Sequence, residues 1–477
     1  MSHLPERSAL LTDLYQLTMA YGYWQEGRHE EEAVFHLTFR HTPFEGGYAL
    51  AAGLAEVIDF LGDFHFREAD LAYLATLQGN DGQPLFAQGF LDYLGRLRFS
   101  GTLHALPEGT LVFPHEPLLR YRGPLLLGQL LETPLLTLVN FPTLIATKAA
   151  RICSAAQGDA VLEFGLRRAQ GVNGGLTASR AAYLGGCTGT SNVLAGQRYG
   201  IPVKGTHAHS WVMSYDEEQA AFEAYARAMP NNCIFLVDTY DTVQGIRRAV
   251  AVGQQLKAQG HRMVGIRLDS GDLRGLSLEA RRLLDQGGLP DAAIVASNDL
   301  DEYEIQRLKA TGARINVWGV GTRLATAKDD PALGGVYKLG ALRQPDGEWA
   351  FKLKRSNDPI KVSTPGLLQV RRYQRDGEWI GDLIRHEPWE MEADRFHSMY
   401  GVSVSLEGAT GEDLLRPIFE QGHQVYEPPA LTESRDHAQA QLRCLSERYR
   451  RLNDVAAYAV GLEPRLAQQK QAMLRTL

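Results

Sequence analysis

Short apolar runs that end in polar clusters recur through the middle third of the chain. Such runs are typical of strands buried on both faces, and helices between them are typical of a parallel sheet. Two intervening stretches, residues 240–260 and 273–287, are amphipathic and end in a glycine, where a helix C-cap is expected. The predicted strands with their polar ends are DAVLEFGLRRA (159–169), PVKGTHAHSWV (202–212), CIFLVDTYDT (233–242), MVGIRLDSGD (263–272), AAIVASNDLDE (292–302), INVWGVGTRL (315–324) and GGVYKLGAL (334–342).

This alternation predicts an α/β fold class, specifically an irregular TIM-like α/β barrel. A polar cluster follows each strand, and in such barrels the chemistry lies at the carboxyl ends of the strands. A doubly wound open sheet is the structural alternative.

The two flanks of the chain differ from the middle. Residues 1–125 begin with a helical stretch, whereas 341–430 contain strand-like segments with DG pairs typical of hairpins, and the chain is helical from about Leu431. We therefore expect a barrel domain at 126–340 and a second α+β domain built from 1–125 and 341–477.

Composition excludes several classes of protein. The 477 residues include 49 Lys+Arg and 56 Asp+Glu, a net charge of −7, so a nucleic-acid partner is not expected. The four cysteines are far apart, which argues against a zinc ribbon or a disulfide scaffold. No apolar run has the length of a membrane span, and no signal-peptide core is present, so we expect a cytoplasmic protein without a membrane partner.

The segment GVGTRL (319–324) follows an apolar run and precedes a possible helix start. Glycines allow backbone N–H groups to approach an anion, and α/β barrels often bind phosphate after their last strands. The motif alone is also compatible with a simple turn.

Charged side chains follow three other predicted strands. Arg267 with two carboxylates in RLDSGD could bind a carboxylate or phosphate together with ribose hydroxyls or Mg²⁺. Asn298 and Asp299 in SNDLDE are suited to ribose or metal contacts. In EFGLRR, Phe164 offers a flat apolar surface and Arg167 a phosphate ligand. For RLDSGD the alternative is a solvated turn with an internal ion pair, and for Phe164 it is an ordinary core aromatic.

Two histidines stand two positions apart in GTHAHS (205–210). On a strand they would share one face, as a metal site requires, but no third ligand of matching type stands nearby. A reactive or phosphate-contacting imidazole is therefore favoured over a metal site and over a structural histidine.

Taken together, these segments resemble the nicotinate phosphoribosyltransferase family, which is related to nicotinamide phosphoribosyltransferase. The resemblance runs along almost the whole chain, including KVSTPG (361–366) and the helical C-terminus. Its longest segments are TDLYQLTMAYGYW (12–24), EFGLRRAQGVNGGLTASRAAYLGG (163–186) and TSNVLAGQRYGIPVKGTHAHSWV (190–212).

The resemblance implies transfer of phosphoribosyl from phosphoribosyl pyrophosphate to nicotinate, which yields nicotinate mononucleotide and pyrophosphate for NAD synthesis. It also implies coupling to ATP hydrolysis through a phosphohistidine at His209, Mg²⁺ held through substrate phosphates, and a homodimer with shared active sites.

The resemblance also implies roles for individual residues. His209, Arg267 and Asp269 are the expected catalytic residues. Tyr15 of the neighbouring subunit and Phe164 would sandwich the pyridine ring. The other expected contacts are Thr206 and Arg267 with nicotinate, Thr322 with the 5′-phosphate, Arg167, Asp269, Asn298, Asp299 and Gly321 with the phosphoribosyl group, and Arg40, Lys354 and Lys361 with pyrophosphate or ATP phosphates.

Two departures from relatives narrow the prediction. The nicotinamide-using relative carries an aspartate near the amide, whereas this chain reads GTSNVLAG (189–196), which favours an acidic substrate. A C-terminal cysteine cluster found in some members is missing, so no structural zinc is expected.

Several alternatives remain open at this stage. The nearest is a nicotinamide or quinolinate phosphoribosyltransferase. A different phosphoribosyltransferase class would need two adjacent acidic residues, but Thr239 follows Asp238. The others are a barrel aldolase with a Schiff-base lysine such as Lys338, and a nucleotide-binding sensor without catalytic activity.

Overall fold

The computed structural model describes residues 8–391 and 393–476, so the first seven residues of the predicted N-terminal segment lie outside it. The helices are α1 (Leu14–Gln25), α2 (Leu54–Gly62), α3 (Glu68–Ala75), α4 (Gln88–Arg96), α5 (Leu125–Leu130), α6 (Glu132–Ala155), α7 (Gly171–Leu184), α8 (Val193–Tyr199), α9 (His209–Met213), α10 (Glu218–Ala228), α11 (Thr242–Ala258), α12 (Leu273–Gln286), α13 (Glu302–Ala310), α14 (Thr322–Ala325), α15 (Leu431–Cys444), α16 (Glu447–Arg450) and α17 (Pro464–Thr476).

Three short 3₁₀ turns, Pro43–Glu45, Leu166–Arg168 and Pro359–Lys361, accompany these helices. The strands are β1 (Glu32–Thr38), β2 (Ala49–Leu50), β3 (Thr102–Ala105), β4 (Leu111–Val112), β5 (Leu119–Pro124), β6 (Ala160–Glu163), β7 (Gly189–Thr190), β8 (Ile234–Leu236), β9 (Gly265–Leu268), β10 (Ala293–Ala296), β11 (Val317–Val320), β12 (Val336–Arg343), β13 (Trp349–Phe351), β14 (Leu368–Arg375), β15 (Glu378–His386), β16 (Arg395–His397), β17 (Ser403–Ser405), β18 (Thr410–Asp413), β19 (Arg416–Glu420), β20 (His423–Gln424) and β21 (Val460–Leu462).

The chain divides into two compact units. The first comprises the residues up to Leu144 together with those from Ala332, and the second is Ile145–Pro331. The first boundary falls inside α6. The predicted barrel domain, 126–340, extends beyond the second unit at both ends.

The second unit contains a six-stranded parallel sheet in the order β7-β6-β11-β10-β9-β8. Its strands are short apolar runs because both faces are covered: in β10, Ile294, Val295 and Ala296 are buried in succession. Helix α11 begins at the N-cap Asp241, whose side chain accepts a hydrogen bond from the Gln244 N–H at 2.8 Å. The α/β class is therefore confirmed, but the pairings form a row from β7 to β8, and they do not show closure into a barrel.

The other unit is rich in antiparallel strands, which confirms the predicted second α+β domain. Its largest sheet has the order β13-β12-β1-β5-β3-β19-β20, and a smaller sheet has the order β18-β14-β15-β21. The predicted hairpin at the second DG pair is present. Asp376 and Gly377 lie between the antiparallel strands β14 and β15, and both residues have positive φ. The DG pair at Asp346 and Gly347 connects β12 to β13.

Of the seven predicted strands, one joins a different sheet and one is absent. GGVYKLGAL forms β12, which pairs antiparallel with β1 in the first unit instead of joining the parallel sheet. PVKGTHAHSWV is not a strand: Val203 makes one isolated bridge to Thr190, and an irregular segment leads into α9. The expected shared strand face of His207 and His209 is therefore wrong too. Among the described residues, no helix is both long and apolar enough to cross a membrane.

Candidate active site

The loops that follow the parallel strands lie at one edge of the second unit's sheet, the edge formed by the carboxyl ends of its strands. Because β6, β11, β10, β9 and β8 are parallel neighbours, their carboxyl ends lie side by side. Most of the sequence-predicted site residues follow these ends. They are Phe164 and Arg167 after β6, Asp269 after β9, Asn298 and Asp299 after β10, and Gly321 and Thr322 after β11.

Arg267, on β9, connects three elements of this edge. Its Nε donates to Ser297 Oγ at 2.6 Å, its Nη1 to Thr206 Oγ1 at 3.2 Å and its Nη2 to Asp269 Oδ1 at 2.9 Å. Ser297 Oγ in turn donates to Asp269 Oδ1. The guanidinium and the carboxylate are thus held together in one hydrogen-bonded cluster at the strand ends.

The environment of Asp269 favours its ionised form. Burial alone would raise its pKa, but hydrogen bonds from Ser297 and Arg267, with the Arg267 charge, hold the pKa below its usual value. Asp238, after β8, fixes the loop because its Oδ2 accepts from the Asp269 N–H at 3.0 Å and from the Ser270 hydroxyl at 2.6 Å. Sequence reasoning gave no role to Asp238 or Ser297, although both follow apolar runs at strand ends.

The two histidines of GTHAHS have different environments. His207 is buried, its Nε2 accepts from the Leu236 N–H at 3.3 Å, and burial lowers its pKa to about 4. His209 begins α9 with its side chain 41% exposed. Its Nδ1 lies 3.1 Å from Thr239 Oγ1, and its Nε2 lies 3.8 Å from Asp269 Oδ2. Of the two rings, only His209 combines access to solvent with a carboxylate neighbour.

Phe164 lies over the end of β11 because residue 319 is glycine. A Cβ at Gly319 would stand 2.8 Å from Phe164 Cδ2, closer than side chains pack. The Arg267 Cζ is 6.0 Å from the centre of the Phe164 ring. The residue before Phe164, the buried Glu163, accepts from the hydroxyls of Ser179 and Thr190 at 2.9 and 2.6 Å. An aromatic face is therefore presented beside the guanidinium.

The remaining predicted residues of this edge are more exposed. Asp299 accepts a hydrogen bond from Arg323 at 3.0 Å, and Arg323 also contacts Asp301. Asn298, Thr322 and Arg167 are exposed at their loop positions. Gly321 is the N-cap residue of the four-residue α14.

Four predicted residues belong to the other unit. Tyr15 lies on α1 with 48% of its surface exposed. Arg40 and Lys361 line a cavity together with Lys338, and burial, along with the nearby charges of Lys354 and Arg40, lowers the pKa of Lys338. The aldolase alternative required a lysine at the end of a parallel strand. Lys338 does not meet this requirement, because it lies within the antiparallel strand β12.

The fold and this edge together define a class of protein. At the carboxyl ends of the parallel strands lie a guanidinium, ionised carboxylates, an accessible imidazole and an aromatic face. They belong to the same loop or to neighbouring loops. This set of side chains is typical of an α/β enzyme that acts on a small anionic, phosphorylated substrate.

Comparison with known proteins identifies the family. The nicotinate phosphoribosyltransferase (NAPRTase) family matches residues 160–342, its N-terminal domain matches 10–140 and its C-terminal domain matches 369–470. The nicotinate phosphoribosyltransferase of Bacillus subtilis (strain 168) is 44% identical over 464 residues, 95% of this chain and 92% of that protein. The chain belongs to the nicotinate phosphoribosyltransferase family.

Two human comparisons agree with this assignment. The nicotinate phosphoribosyltransferase of Homo sapiens is 40% identical over 532 residues, covering 98% of this chain and 96% of that protein. The crystal structure of human nicotinic acid phosphoribosyltransferase matches with a TM-score of 0.83 and 37% identity, covering 98% of this chain and 99% of that chain. The similarity therefore includes both units.

Proposed function

We propose that this protein transfers the 5-phosphoribosyl group of phosphoribosyl pyrophosphate to the ring nitrogen of nicotinate. The C1–pyrophosphate bond breaks, pyrophosphate leaves with the electron pair, and a bond forms between C1 and the pyridine nitrogen. The products, nicotinate mononucleotide and pyrophosphate, belong to salvage of nicotinic acid into NAD. The names of the relatives and the arrangement around Arg267 support this function.

The observation that carries the proposal is the hydrogen bonding of Arg267. A guanidinium has five N–H donors. Among the hydrogen bonds of the described residues, Arg267 uses one donor on each of its three nitrogens, toward Ser297, Thr206 and Asp269. One donor is left on each terminal nitrogen, which is the pair that binds a carboxylate in bidentate fashion. This arrangement suits nicotinate, which is a carboxylate, better than nicotinamide.

The transfer builds positive charge on the ribose and negative charge on the departing pyrophosphate. Ionised Asp269 and Asp299 would hold ribose hydroxyls close to the cationic centre. Arg167, Asn298, Gly321 and Thr322 would bind the rest of the phosphoribosyl group, as the family resemblance implies.

The pyridine ring would lie against Phe164, with Tyr15 of a neighbouring subunit on its other face. Stacking between two aromatic rings fixes the plane of the pyridine and directs its nitrogen toward C1. This assignment includes a homodimer with shared active sites.

ATP is proposed as a co-substrate whose γ-phosphoryl group is transferred to His209, releasing ADP. Water later cleaves the phosphohistidine. The exposure of His209 and its position 3.8 Å from Asp269 Oδ2 support this assignment. A phosphorylated ring is an anion with three strong acceptors, so it would reorganise the strand-end loops. Arg40, Lys354 and Lys361 are proposed to bind pyrophosphate or ATP phosphates.

Magnesium ion is proposed as the cofactor, and it would neutralise charge on pyrophosphate when bound. The donor set fits a cation held partly by substrate oxygens. Asp238 Oδ1 is buried and has no hydrogen-bond partner among the described residues, and Asp269 supplies a second carboxylate nearby. No group of three or more His, Cys, Asp and Glu side chains suited to a metal occurs in the described part of the chain.

A competition assay tests the reaction itself. The purified protein is incubated with phosphoribosyl pyrophosphate and equal concentrations of nicotinate, nicotinamide and quinolinate, with and without ATP. We expect nicotinate mononucleotide and pyrophosphate as the main products. Preference for nicotinamide, or release of CO₂ from quinolinate, would assign the sister activity instead, and no turnover of any pyridine would favour a sensor.

The role of His209 is tested by mass spectrometry and by substitution. After incubation with ATP, one added phosphate should be localised by fragmentation to His209 and not to the buried His207. His209→Ala should lose stimulation by ATP while retaining slow uncoupled transfer. An equal response to ATP in the variant and the parent would remove His209 from this role.

A further inference from the structure

We propose that Arg323 is a positioning residue that holds the loop after β10 and the loop after β11 at a fixed separation. The inference rests on the proposed function, in which these loops bind the ribose and the 5′-phosphate of one substrate. Arg323 itself is not expected to touch the reacting atoms.

Arg323 connects the two loops through two carboxylates. It lies on α14, directly after Thr322, and its Nη2 donates to Asp299 Oδ2 at 3.0 Å. Its Nη1 donates to Asp301 Oδ2. One planar guanidinium thus bridges two carboxylates of the β10 loop, which a lysine ammonium cannot do in the same geometry.

Asp301 is the fixed end of this connection. Its side chain is buried and caps α13, because Oδ1 accepts from the Glu304 N–H at 2.8 Å. The next residue, Glu302, is fully buried and is bound by Lys148 Nζ at 2.8 Å and Arg151 Nε at 3.0 Å. The start of α13 is therefore anchored to α6, and it gives Arg323 a stable partner.

Asp299 is the exposed end of the connection. Its side chain is 60% exposed, and among the described hydrogen bonds its carboxylate is held by Arg323. The hydrogen bond and charge of Arg323 also lower the pKa of Asp299, so this carboxylate stays ionised. Without Arg323, two carboxylates, Asp299 and Asp301, would repel each other at the loop.

The connection spans two parts of one substrate. Thr322 precedes Arg323 in the chain and is assigned to the 5′-phosphate, whereas Asp299 is assigned to ribose hydroxyls. The 5′-phosphate and ribose are joined covalently in phosphoribosyl pyrophosphate, so their binding groups must keep one spacing. Loss of Arg323 should therefore weaken binding of this substrate and leave nicotinate binding little changed.

Steady-state kinetics of the full-length enzyme test this inference. Arg323→Met keeps the aliphatic stem, and we expect it to raise the KM for phosphoribosyl pyrophosphate about tenfold while changing the nicotinate KM by less than about twofold. Arg323→Lys should recover part of the loss. Arg282→Met is the matched control, because Arg282 is exposed and pairs with Glu279 on its own helix, α12.

A double-mutant cycle separates positioning from a general loss of structure. If Arg323 acts through Asp299, Arg323→Lys should add little in an Asp299→Asn background, whereas additive effects would overturn the inference. An unchanged phosphoribosyl pyrophosphate KM in Arg323→Met, or equal increases in both KM values, would overturn it too. If Arg323→Met does not fold, the cycle with Arg323→Lys decides. A parent enzyme without turnover would instead refute the proposed function.

Discussion

Replacing Arg267 by alanine should raise the KM for nicotinate roughly 100-fold. Among the hydrogen bonds of the described residues, one N–H donor on each terminal nitrogen of Arg267 is unused, and the proposed function assigns this pair to the substrate carboxylate. Hydrogen bonds to charged groups contribute about 1.5–3 kcal/mol each, so a pair that shares one anion is worth about 3 kcal/mol. Since about 1.4 kcal/mol corresponds to a factor of ten, two decades of affinity depend on this side chain.

The assay compares nicotinate with nicotinamide at saturating phosphoribosyl pyrophosphate. Because the amide carries no charge, Arg267→Ala should weaken nicotinate use far more than any residual nicotinamide use, and the ratio of the two kcat/KM values should fall. Arg267→Lys, which keeps a charge but not the planar fork, should be intermediate.

Arg281→Ala is the matched control for the loss of an arginine. Arg281 also donates through all three of its nitrogens, to Asp285 and to the carbonyl groups of Leu289 and Ala292 before β10. These partners lie at the amino end of the strand, away from the candidate site. A nicotinate KM that stays unchanged in a folded Arg267→Ala enzyme would refute the proposed carboxylate contact.

Two further predictions concern the aromatic face and the buried imidazole. Gly319→Ala should displace the Phe164 ring, because the new methyl group would stand 2.8 Å from it, and raise the nicotinate KM about tenfold; equal increases in both substrate KM values would contradict this. His207 has a pKa lowered from 6.5 to about 4, so its neutral form stabilises the fold fully above pH 6.5, and up to about 3 kcal/mol is lost as the pH falls toward 4. Between pH 7 and 4.5, the free energy of unfolding measured in urea should therefore depend less steeply on pH for His207→Gln than for the parent. An identical slope would exclude His207 as a source of this pH dependence.

The strands of the parallel sheet could be predicted because burial on both faces requires short, continuous apolar runs, which are visible in the sequence. β8 and β10 coincide with continuous apolar runs, and the polar clusters follow their carboxyl ends. The same apolar pattern led to the wrong sheet for β12. An apolar run does not reveal whether its partner strand is parallel or antiparallel, or which unit holds that partner.

The histidine segment could not be predicted from periodicity. Pro202 and Gly205 interrupt it, and the conformation of His207 depends on a hydrogen bond from Leu236, 29 positions away. For the same reason Asp238 and Ser297 were not identified. A polar residue after a strand resembles any turn residue until its distant hydrogen-bond partner is known.

The order of strands in the parallel sheet also has a consequence for synthesis of the chain. β6 pairs with β11 along its whole length, yet β11 leaves the ribosome about 160 residues after β6. At typical elongation rates of about 5–20 residues per second, β6 waits roughly 10–30 s with one side of its backbone unpaired. During that interval the unpaired side of β6 is a template for wrong strand pairing, and it remains one until translation passes Val320.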